Sequence, residues 1–441
     1  MGLVAAALLE ENPPNLLLKS CVRYMSEFYY ASPNDSQRRS SRRSLAGRLF
    51  DFVMVIISIV VMIVVLLSYL APIVSPHRMW ILSLLGLGAP FSYAAMVLLI
   101  LYWVIRWRWK YALPLILVAL LGVGKVSRYY RITPVQDHAA QVDPSKLSEK
   151  EVRKWEEERR RAERGTFLVM TYNIGNFKPY YGIDQNPQHA VATGAAVIDS
   201  LSPDIICLQE FQSTPACPRE MFDTMLTSRN YRGLVSLRLT THPKQGHGVG
   251  NAIYTRYKIV RSGVIDNATE LDSTACIAQW ADLMIGDDTV RVINNHLRTT
   301  MITYDDQEYL VSGDFIEDGS GEREGKLRSI ADRFQLNSQI RADQADTISR
   351  FVAASPYRVI VCGDFNDGAM SYAYRKIGRN LDDTFVEAAR GKTNTYRGFF
   401  NLLRIDFIMV DPRLEVVSYS SPRMGVSDHY PVLSRLKFRR D

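Results

Sequence analysis

The chain has 441 residues, enough for two or three folding units, and its formal net charge is +7. Residues 1–165 carry 22 Lys and Arg against 13 Asp and Glu, whereas residues 166–441 carry 31 against 33. The C-terminal part therefore lacks the strongly basic balance of a domain built mainly to hold a long nucleic-acid backbone. The five cysteines have neither zinc-site nor disulfide-framework spacing, and Cys207 and Cys362 lie in apolar runs typical of buried thiols.

The N-terminal part contains long uncharged runs. A basic segment, residues 1–49, precedes residues 50–130, in which two to three transmembrane helices are predicted at about 52–72, 79–105 and 109–126. The first two runs are long enough to cross about 30 Å of hydrocarbon, whereas the third is near the short limit. Residues 131–165 are predicted to form a charged linker or helix that holds the following domain away from the bilayer.

Basic residues flank these runs unequally. Five arginines precede the first run and three basic residues follow the second, but only His77 and Arg78 lie in the loop between them. Positive-inside reasoning places the N-terminus and the second loop in the cytoplasm, so that a third span would export the remainder. Basic residues after the third run argue mildly the other way. We predict a multi-pass protein of the inner (cytoplasmic) membrane whose domain at 166–441 is periplasmic or otherwise extracytoplasmic.

From Thr166 onward short apolar strands alternate with helical stretches, which indicates an α/β fold rather than a bundle or a pure sandwich. The predicted strands are Phe167–Tyr172, Asp204–Leu208, Tyr231–Leu237, Asn251–Tyr254, Val290–Asn294, Arg358–Cys362, Ile405–Val410 and Val432–Phe438. The predicted helices are His189–Leu201, Arg219–Ser228 and Lys326–Ala354.

Polar side chains recur where the predicted strands end. They are Asn173, Gln209, Glu210, Asn294, His296, Asp364, Asn366, Asp406, Asp428 and His429. A single Asp after a strand is more often a turn or helix cap, and a single His near a strand end is usually structural. Several such residues at one sheet edge, in contrast, would form one polar cleft.

The motifs TYNIGNF, DIICLQEF, GNAIYTRYKI, NNHL, VIVCGDFND, RIDFIMV and SDHYPV carry a resemblance to the endonuclease/exonuclease/phosphatase (DNase I-like) superfamily. They extend from about Phe167 to Phe438. With its membrane helices, the chain looks like a membrane-anchored bacterial branch of that superfamily. The resemblance implies a four-layer sandwich of two mixed β-sheets packed face to face and flanked by helices. It also implies that Glu210 is the main metal carboxylate, with Asn173 and Asp428 beside it.

The same resemblance implies that Asp364 orients and deprotonates the attacking water and that Asn366 holds a nonbridging phosphate oxygen. His429, oriented by Asp406, and His296 would flank the phosphate and stabilise charge or protonate the leaving oxygen. The residue types agree with these roles, because clustered carboxylates repel one another unless a cation intervenes. Oxygen-rich ligands favour Mg²⁺ or Mn²⁺ over zinc.

The substrate is not encoded in these motifs. The acidic stretch from Thr299 to Gly325 would repel a long polyanion, although it could equally be a surface loop or lid. We therefore expect a phosphoester at the lipid bilayer, such as a lipid headgroup, a nucleotide or another envelope phosphoester. A membrane-tethered DNA or RNA nuclease is the alternative, and a non-catalytic binding module is a further one.

Overall fold

The structure is a computed structural model. It describes residues 45–131, 164–175, 187–214, 219–239, 248–266, 276–300, 302, 305–306, 309, 320–424 and 427–439. The predicted basic segment up to residue 44, most of the predicted linker at 131–165 and much of the acidic stretch at 299–325 lie outside these residues.

Apolar helices form the N-terminal part of the described chain. They are α1 (Leu45–Ser68), α2 (Pro76–Met79), α3 (Ile81–Leu87), α4 (Ala89–Ile105), α5 (Trp109–Leu121) and α6 (Val123–Val126). Within α1, the 22 residues Gly47–Ser68 are long and apolar enough to cross a bilayer. Among the described residues, a second crossing is available only if α3 and α4, which meet at a bend of 64°, form one span.

Two predicted spans are therefore interrupted. The run at 79–105 breaks at Gly88, which caps α3, and Pro90 in the first turn of α4 has no N–H to continue the ladder. The run at 109–126 breaks at Gly122, and α5 has only 13 residues, whereas a span needs about 20. Composition identified apolar stretches correctly but did not reveal where glycine and proline divide them.

Strands and helices alternate after residue 129. The strands are β1 (Tyr130–Arg131), β2 (Thr166–Asn173), β3 (Ile205–Ser213), β4 (Arg232–Leu239), β5 (Gly248–Thr255), β6 (Lys258–Asp266), β7 (Cys276–Ile285), β8 (Asp288–His296), β9 (Arg358–Asp364), β10 (Asp382–Asp383), β11 (Gly391–Lys392), β12 (Asp406–Val410), β13 (Leu414–Ser420) and β14 (Val432–Phe438). The helices are α7 (Pro187–Leu201), α8 (Arg219–Thr227), α9 (Ser320–Ala353), α10 (Tyr372–Ile377) and α11 (Thr384–Ala388), with short 3₁₀ turns at Gly378–Asn380 and Phe399–Asn401. All eight predicted strands and all three predicted helices are present.

Two six-stranded sheets form the centre of this part. Sheet one has the order β13-β14-β2-β3-β5-β4 and sheet two the order β10-β12-β9-β8-β7-β6. Each is mixed, because β2 and β3 are parallel in the first and β8 and β9 are parallel in the second, while the neighbouring pairs are antiparallel. The short strands β1 and β11 pair separately.

The sheets pack face to face, and helices cover their outer faces. One buried cluster joins Val169 and Cys207 of sheet one to Val292 and Cys362 of sheet two. A second cluster places α7 and α8 on sheet one, and a third places α9 and α10 on sheet two. The predicted α/β fold with two mixed sheets and flanking helices is confirmed, as is the burial of the two thiols.

Candidate active site

The parallel strand pairs bring their carboxyl ends to one edge of the sandwich. Asn173 is in register with Gln209 across β2 and β3, and His296 is in register with Asp364 across β8 and β9. The sheets meet there, because Asn173 Nδ2 donates to Asp364 Oδ2 at 3.0 Å. Polar residues that are far apart in the sequence therefore become neighbours at the shared edge.

A β-bulge aims Glu210 into this edge. The register of β3 against β5 shifts between Leu208 and Phe211, and Glu210 has a φ of +51°, a conformation that L-residues rarely adopt. The Gln209 side chain is buried between the sheets, whereas Glu210 is 30% exposed at the cleft. Glu210 Oε1 accepts from Asn173 Nδ2 at 3.1 Å, so one amide bridges two carboxylates.

Asp364 is buried at the end of β9, and its position depends on a close backbone approach. Gly363 has a φ of +142°, and a Cβ there would lie 2.0 Å from the carbonyl oxygen of Asn295. Only glycine fits this position. Asp364 Oδ1 accepts from the backbone N–H of Asn366 at 2.8 Å, so the Asp-Phe-Asn turn holds its own carboxylate.

His429 and Asp406 form a buried pair behind Asp364. His429 Nδ1 lies 2.9 Å from Asp406 Oδ2, and His429 Nε2 lies 3.8 Å from Asp364 Oδ2. Burial alone would lower the pKa of His429, but the Asp406 and Asp364 carboxylates outweigh it and raise that pKa to about 10. Burial has the opposite effect on a carboxyl group, so it raises the pKa of Asp406 to about 6 although the neighbouring His429 lowers it. The pairing fixes the orientation of the imidazole.

The remaining predicted residues line the same cleft. His296 Nε2 lies 3.8 Å from both Glu210 Oε1 and Asp364 Oδ2, which is too long for a hydrogen bond. Asn366 Nδ2 donates to the Leu297 carbonyl at 3.0 Å. Asp428 borders a cavity of about 120 Å³ together with Glu210, Asp364, Asn366 and His429. The structure therefore brings all eight predicted site residues together.

Sequence reasoning assigned no role to two features of this site. Gln209 Nε2 donates to Asn294 Oδ1 at 2.6 Å, and Asn294 Nδ2 donates to the carbonyls of Leu208 and Ala252, which joins the two sheets directly beneath the cleft. Both residues were noted as strand-end polar groups, which was the available signal. Leu87, at the end of α3, also lines the cavity, and nothing in its local sequence points there.

The residues present fit a hard divalent cation. The buried group Asp364, Asp406 and His429 offers potential ligand atoms within 4.8 Å of one another. Asp406 is already bonded to His429, however, so the more open oxygens of Glu210 and Asp428 suit a cation better. The buried His296 Nε2 has no hydrogen-bond partner among the described residues and faces Glu210 and Asp364. A gap between an unpartnered imidazole nitrogen and two carboxylates is suited to Mg²⁺ or Mn²⁺, which prefer carboxylate oxygens.

Several solved structures are similar to this chain. An endonuclease/exonuclease/phosphatase from Bacteroides vulgatus is 20% identical, with 62% of this chain and 99% of that chain covered and a TM-score of 0.45. For an endonuclease/exonuclease/phosphatase from Beutenbergia cavernae the identity is 17%, the coverage 62% and 72%, and the TM-score 0.44. The human Nocturnin catalytic domain with bound sulfate anion is 19% identical, with 63% of this chain and 95% of that chain covered and a TM-score of 0.42. The comparison with curated proteins found no match.

Two family models match separate parts of the sequence. Residues 51–129 match a domain of unknown function (DUF8431), which covers most of the apolar helices. Residues 170–429 match the Endonuclease/Exonuclease/phosphatase family, and this range contains all eight residues of the cleft. Because that match extends over more than half of the sequence, the chain belongs to the Endonuclease/Exonuclease/phosphatase family.

Proposed function

We propose that this protein is a metal-dependent phosphoester hydrolase that cleaves a P–O bond by in-line attack of water. The observation that carries the proposal is the convergence of Asn173, Glu210, His296, Asp364 and His429 at one sheet edge, with neighbouring polar atoms 3.0 to 3.8 Å apart. Clefts of this kind combine negative charge for a cation with imidazole donors for a phosphoryl group.

The cation is Mg²⁺ or Mn²⁺, and Glu210, Asn173 and Asp428 would hold it. When bound, it polarises the phosphoryl oxygen and offsets charge that develops on the leaving group. Asn173 presents its NH₂ group to the two carboxylates in the structure, while its Oδ1 accepts from the backbone N–H of Gly175. Rotation of the amide by half a turn would present the oxygen instead, and the two orientations are nearly isosteric.

The side chains of this chain divide the proton transfers between them. Asp364 lines the cleft, and its Oδ2 lies 3.8 Å from Nε2 of both His296 and His429, so it orients the attacking water and accepts its proton. The raised pKa of His429 keeps its imidazole charged at neutral pH, so Nε2 can donate to the phosphoryl or leaving oxygen. His296 supplies a second donor, and Asn366 would exchange its bond to Leu297 for a nonbridging phosphate oxygen.

Membrane attachment is the second part of the proposal. The segment Gly47–Ser68 would cross the bilayer, and the distribution of basic residues supports our proposal that the catalytic domain, residues 166–441, lies on the periplasmic or extracytoplasmic side of the cytoplasmic membrane. A substrate beside the bilayer is then expected, such as a lipid headgroup, a nucleotide or another envelope phosphoester. A nuclease acting on DNA or RNA is the competing possibility.

A substrate panel on the full-length protein in detergent tests the hydrolase activity and the class of substrate. The panel contains bis(p-nitrophenyl) phosphate, phospholipid in mixed micelles and plasmid DNA, each with Mg²⁺, with Mn²⁺ and with EDTA. We expect metal-dependent release of p-nitrophenolate or of a lipid headgroup. Plasmid cleavage far faster than hydrolysis of either ester would favour the nuclease instead.

Two variants connect the activity to the site. Asp364→Ala and His429→Ala should each lower turnover by at least about 100-fold, because each removes a group that transfers a proton. Asp382→Asn, a change in a short strand outside the cleft, is the matched control. Unchanged turnover in both site variants, with the fold intact by circular dichroism, would refute the proposal.

A further inference from the structure

One residue that lines the catalytic cleft comes from outside the region that matches the Endonuclease/Exonuclease/phosphatase family. Leu87 is the last residue of α3 and lines the same cavity as Glu210, Asp364 and His429. It precedes the start of the family match at residue 170 by more than 80 positions. The cavity is therefore incomplete in the part of the chain that carries the catalytic motifs.

Close packing holds Leu87 against residues 364–370, which we call the catalytic turn. A Cβ on Gly86 would lie 2.5 Å from the Met370 carbonyl oxygen, so α3 approaches the backbone that follows Asp364 and Asn366 as closely as glycine allows. In the same turn Arg128 Nη1, from the segment after α6, donates to the Ala369 carbonyl at 3.2 Å. These contacts fix the position of Leu87 relative to the catalytic carboxylate.

A second set of contacts connects the same helices to α9. His77 Nε2 lies 2.9 Å from Asp343 Oδ1, and the Trp80 ring packs against Phe334 with centroids 6.2 Å apart. The buried Arg404 also donates from Nη2 to the Arg128 carbonyl at 2.8 Å while it pairs with Asp383. The segment from α2 to α6 is thus held at several points on the catalytic domain.

The lining of the cavity is chemically mixed. Carboxylate, amide and imidazole groups belong to it, and so do five apolar side chains, those of Leu87, Ile302, Phe399, Leu403 and Ile405. A phosphoester with only small polar substituents gains nothing from these apolar side chains, whereas an alkyl group beside the phosphorus would lose water against them.

The segment that carries Leu87 continues into a helix with a surface suited to lipid. Helix α4 begins at Ala89, two residues after Leu87, and its 17 residues extend about 26 Å. Its outward side chains are exposed, with Leu98 at 66% and Ile105 at 75%. A bilayer that embeds α4 would therefore place acyl chains along the helix that begins two residues after Leu87.

We propose that Leu87 is a specificity-determining residue through which the N-terminal helices select phosphoesters that carry an apolar group next to the phosphorus. The proposal rests on the proposed phosphoester hydrolysis, and it makes α2 to α6 part of the substrate site instead of a tether alone.

Two diesters with the same leaving group test this selection. The full-length protein in nanodiscs is assayed with methyl p-nitrophenyl phosphate and with octyl p-nitrophenyl phosphate in the presence of Mg²⁺ or Mn²⁺. We expect a higher kcat/KM for the octyl ester, and we expect Leu87→Ala to lower the octyl-to-methyl ratio by about tenfold, since a Leu side chain contributes apolar contact of that order. Leu87→Asn, which keeps the branched shape but ends in polar atoms, should lower the ratio at least as much.

Leu84→Ala is the matched control, because Leu84 lies on the same helix, is exposed and does not line the cavity. A ratio that falls in both Leu87 variants and stays unchanged in Leu84→Ala supports the proposal. An unchanged ratio in folded Leu87 variants, while both esters are still hydrolysed, overturns this inference and leaves the hydrolase proposal standing. If the unmodified protein hydrolyses neither ester with either metal, the hydrolase proposal fails and this inference fails with it.

Discussion

The pair formed by His429 and Asp406 makes a quantitative prediction about pH. The Asp406 side chain is fully buried, and its Oδ2 lies 2.9 Å from His429 Nδ1. It is the largest of the contributions that raise the pKa of His429 to about 10. The substitution Asp406→Asn keeps the shape and removes the charge, so the pKa of His429 should fall toward its ordinary value of about 6.5.

The expected loss of activity follows from that change. A folded-state pKa near 10 keeps His429 protonated throughout the neutral range, and this protonation is lost only as the pH rises through about 10. In Asp406→Asn, at pH 8.5, about 1% of the imidazole would remain charged, because each pH unit above the pKa lowers the ratio of charged to neutral imidazole tenfold. We therefore expect turnover about 100-fold lower at pH 8.5 but less than about twofold lower at pH 6.

The assay is turnover of bis(p-nitrophenyl) phosphate at saturating Mg²⁺ or Mn²⁺ from pH 6 to 9, with samples stopped in base before absorbance is read. Asp411→Asn, in the residue that directly follows the other end of β12, controls for the loss of a nearby carboxylate. A deficit of equal size at pH 6 and pH 8.5 would show that the charge of His429 is not what Asp406 maintains. No deficit at all would remove the pair from the mechanism.

Three further changes test other parts of the site. Glu210→Gln should weaken Mg²⁺ or Mn²⁺ binding at least about tenfold by calorimetry, since a neutral amide replaces the most open carboxylate of the cleft, and equal affinity would exclude it as a ligand. Asn294→Ala should lower the unfolding free energy by about 2 to 4 kcal/mol, measured by thermal unfolding in EDTA, because it leaves Gln209 and two backbone carbonyls without their buried partner. Gly86→Ala should lower both the melting temperature and turnover. Gly124→Ala is the control and should change neither, because no atom lies within 4 Å of the added Cβ. Equal effects of the two substitutions would argue against close packing of α3 on the catalytic turn.

The sequence by itself indicated the fold class and most of the site. Continuous apolar runs such as Arg358–Cys362 are buried on both faces, so they are recognisable as strands without knowledge of their partners. The strands β6, β7 and β13 were not predicted. In β6, most residues of Lys258–Asp266 are exposed, so it lacks the apolar pattern on which the prediction relied. The eight predicted site residues, which the structure brings together, could be selected because polar groups repeatedly end buried strands.

The arrangement of that site depended on tertiary structure. The bulge that sends Gln209 into the core and Glu210 into the cleft arises from pairing with β5, and no local pattern reports it. The same holds for Leu87, whose local sequence is that of an ordinary apolar helix. Its contact with the cleft is made across more than 100 residues of chain, and only packing of α3 on the turn at Met370 determines it. Side-chain chemistry can be read from sequence, whereas the surface that each side chain faces is decided by contacts between distant segments.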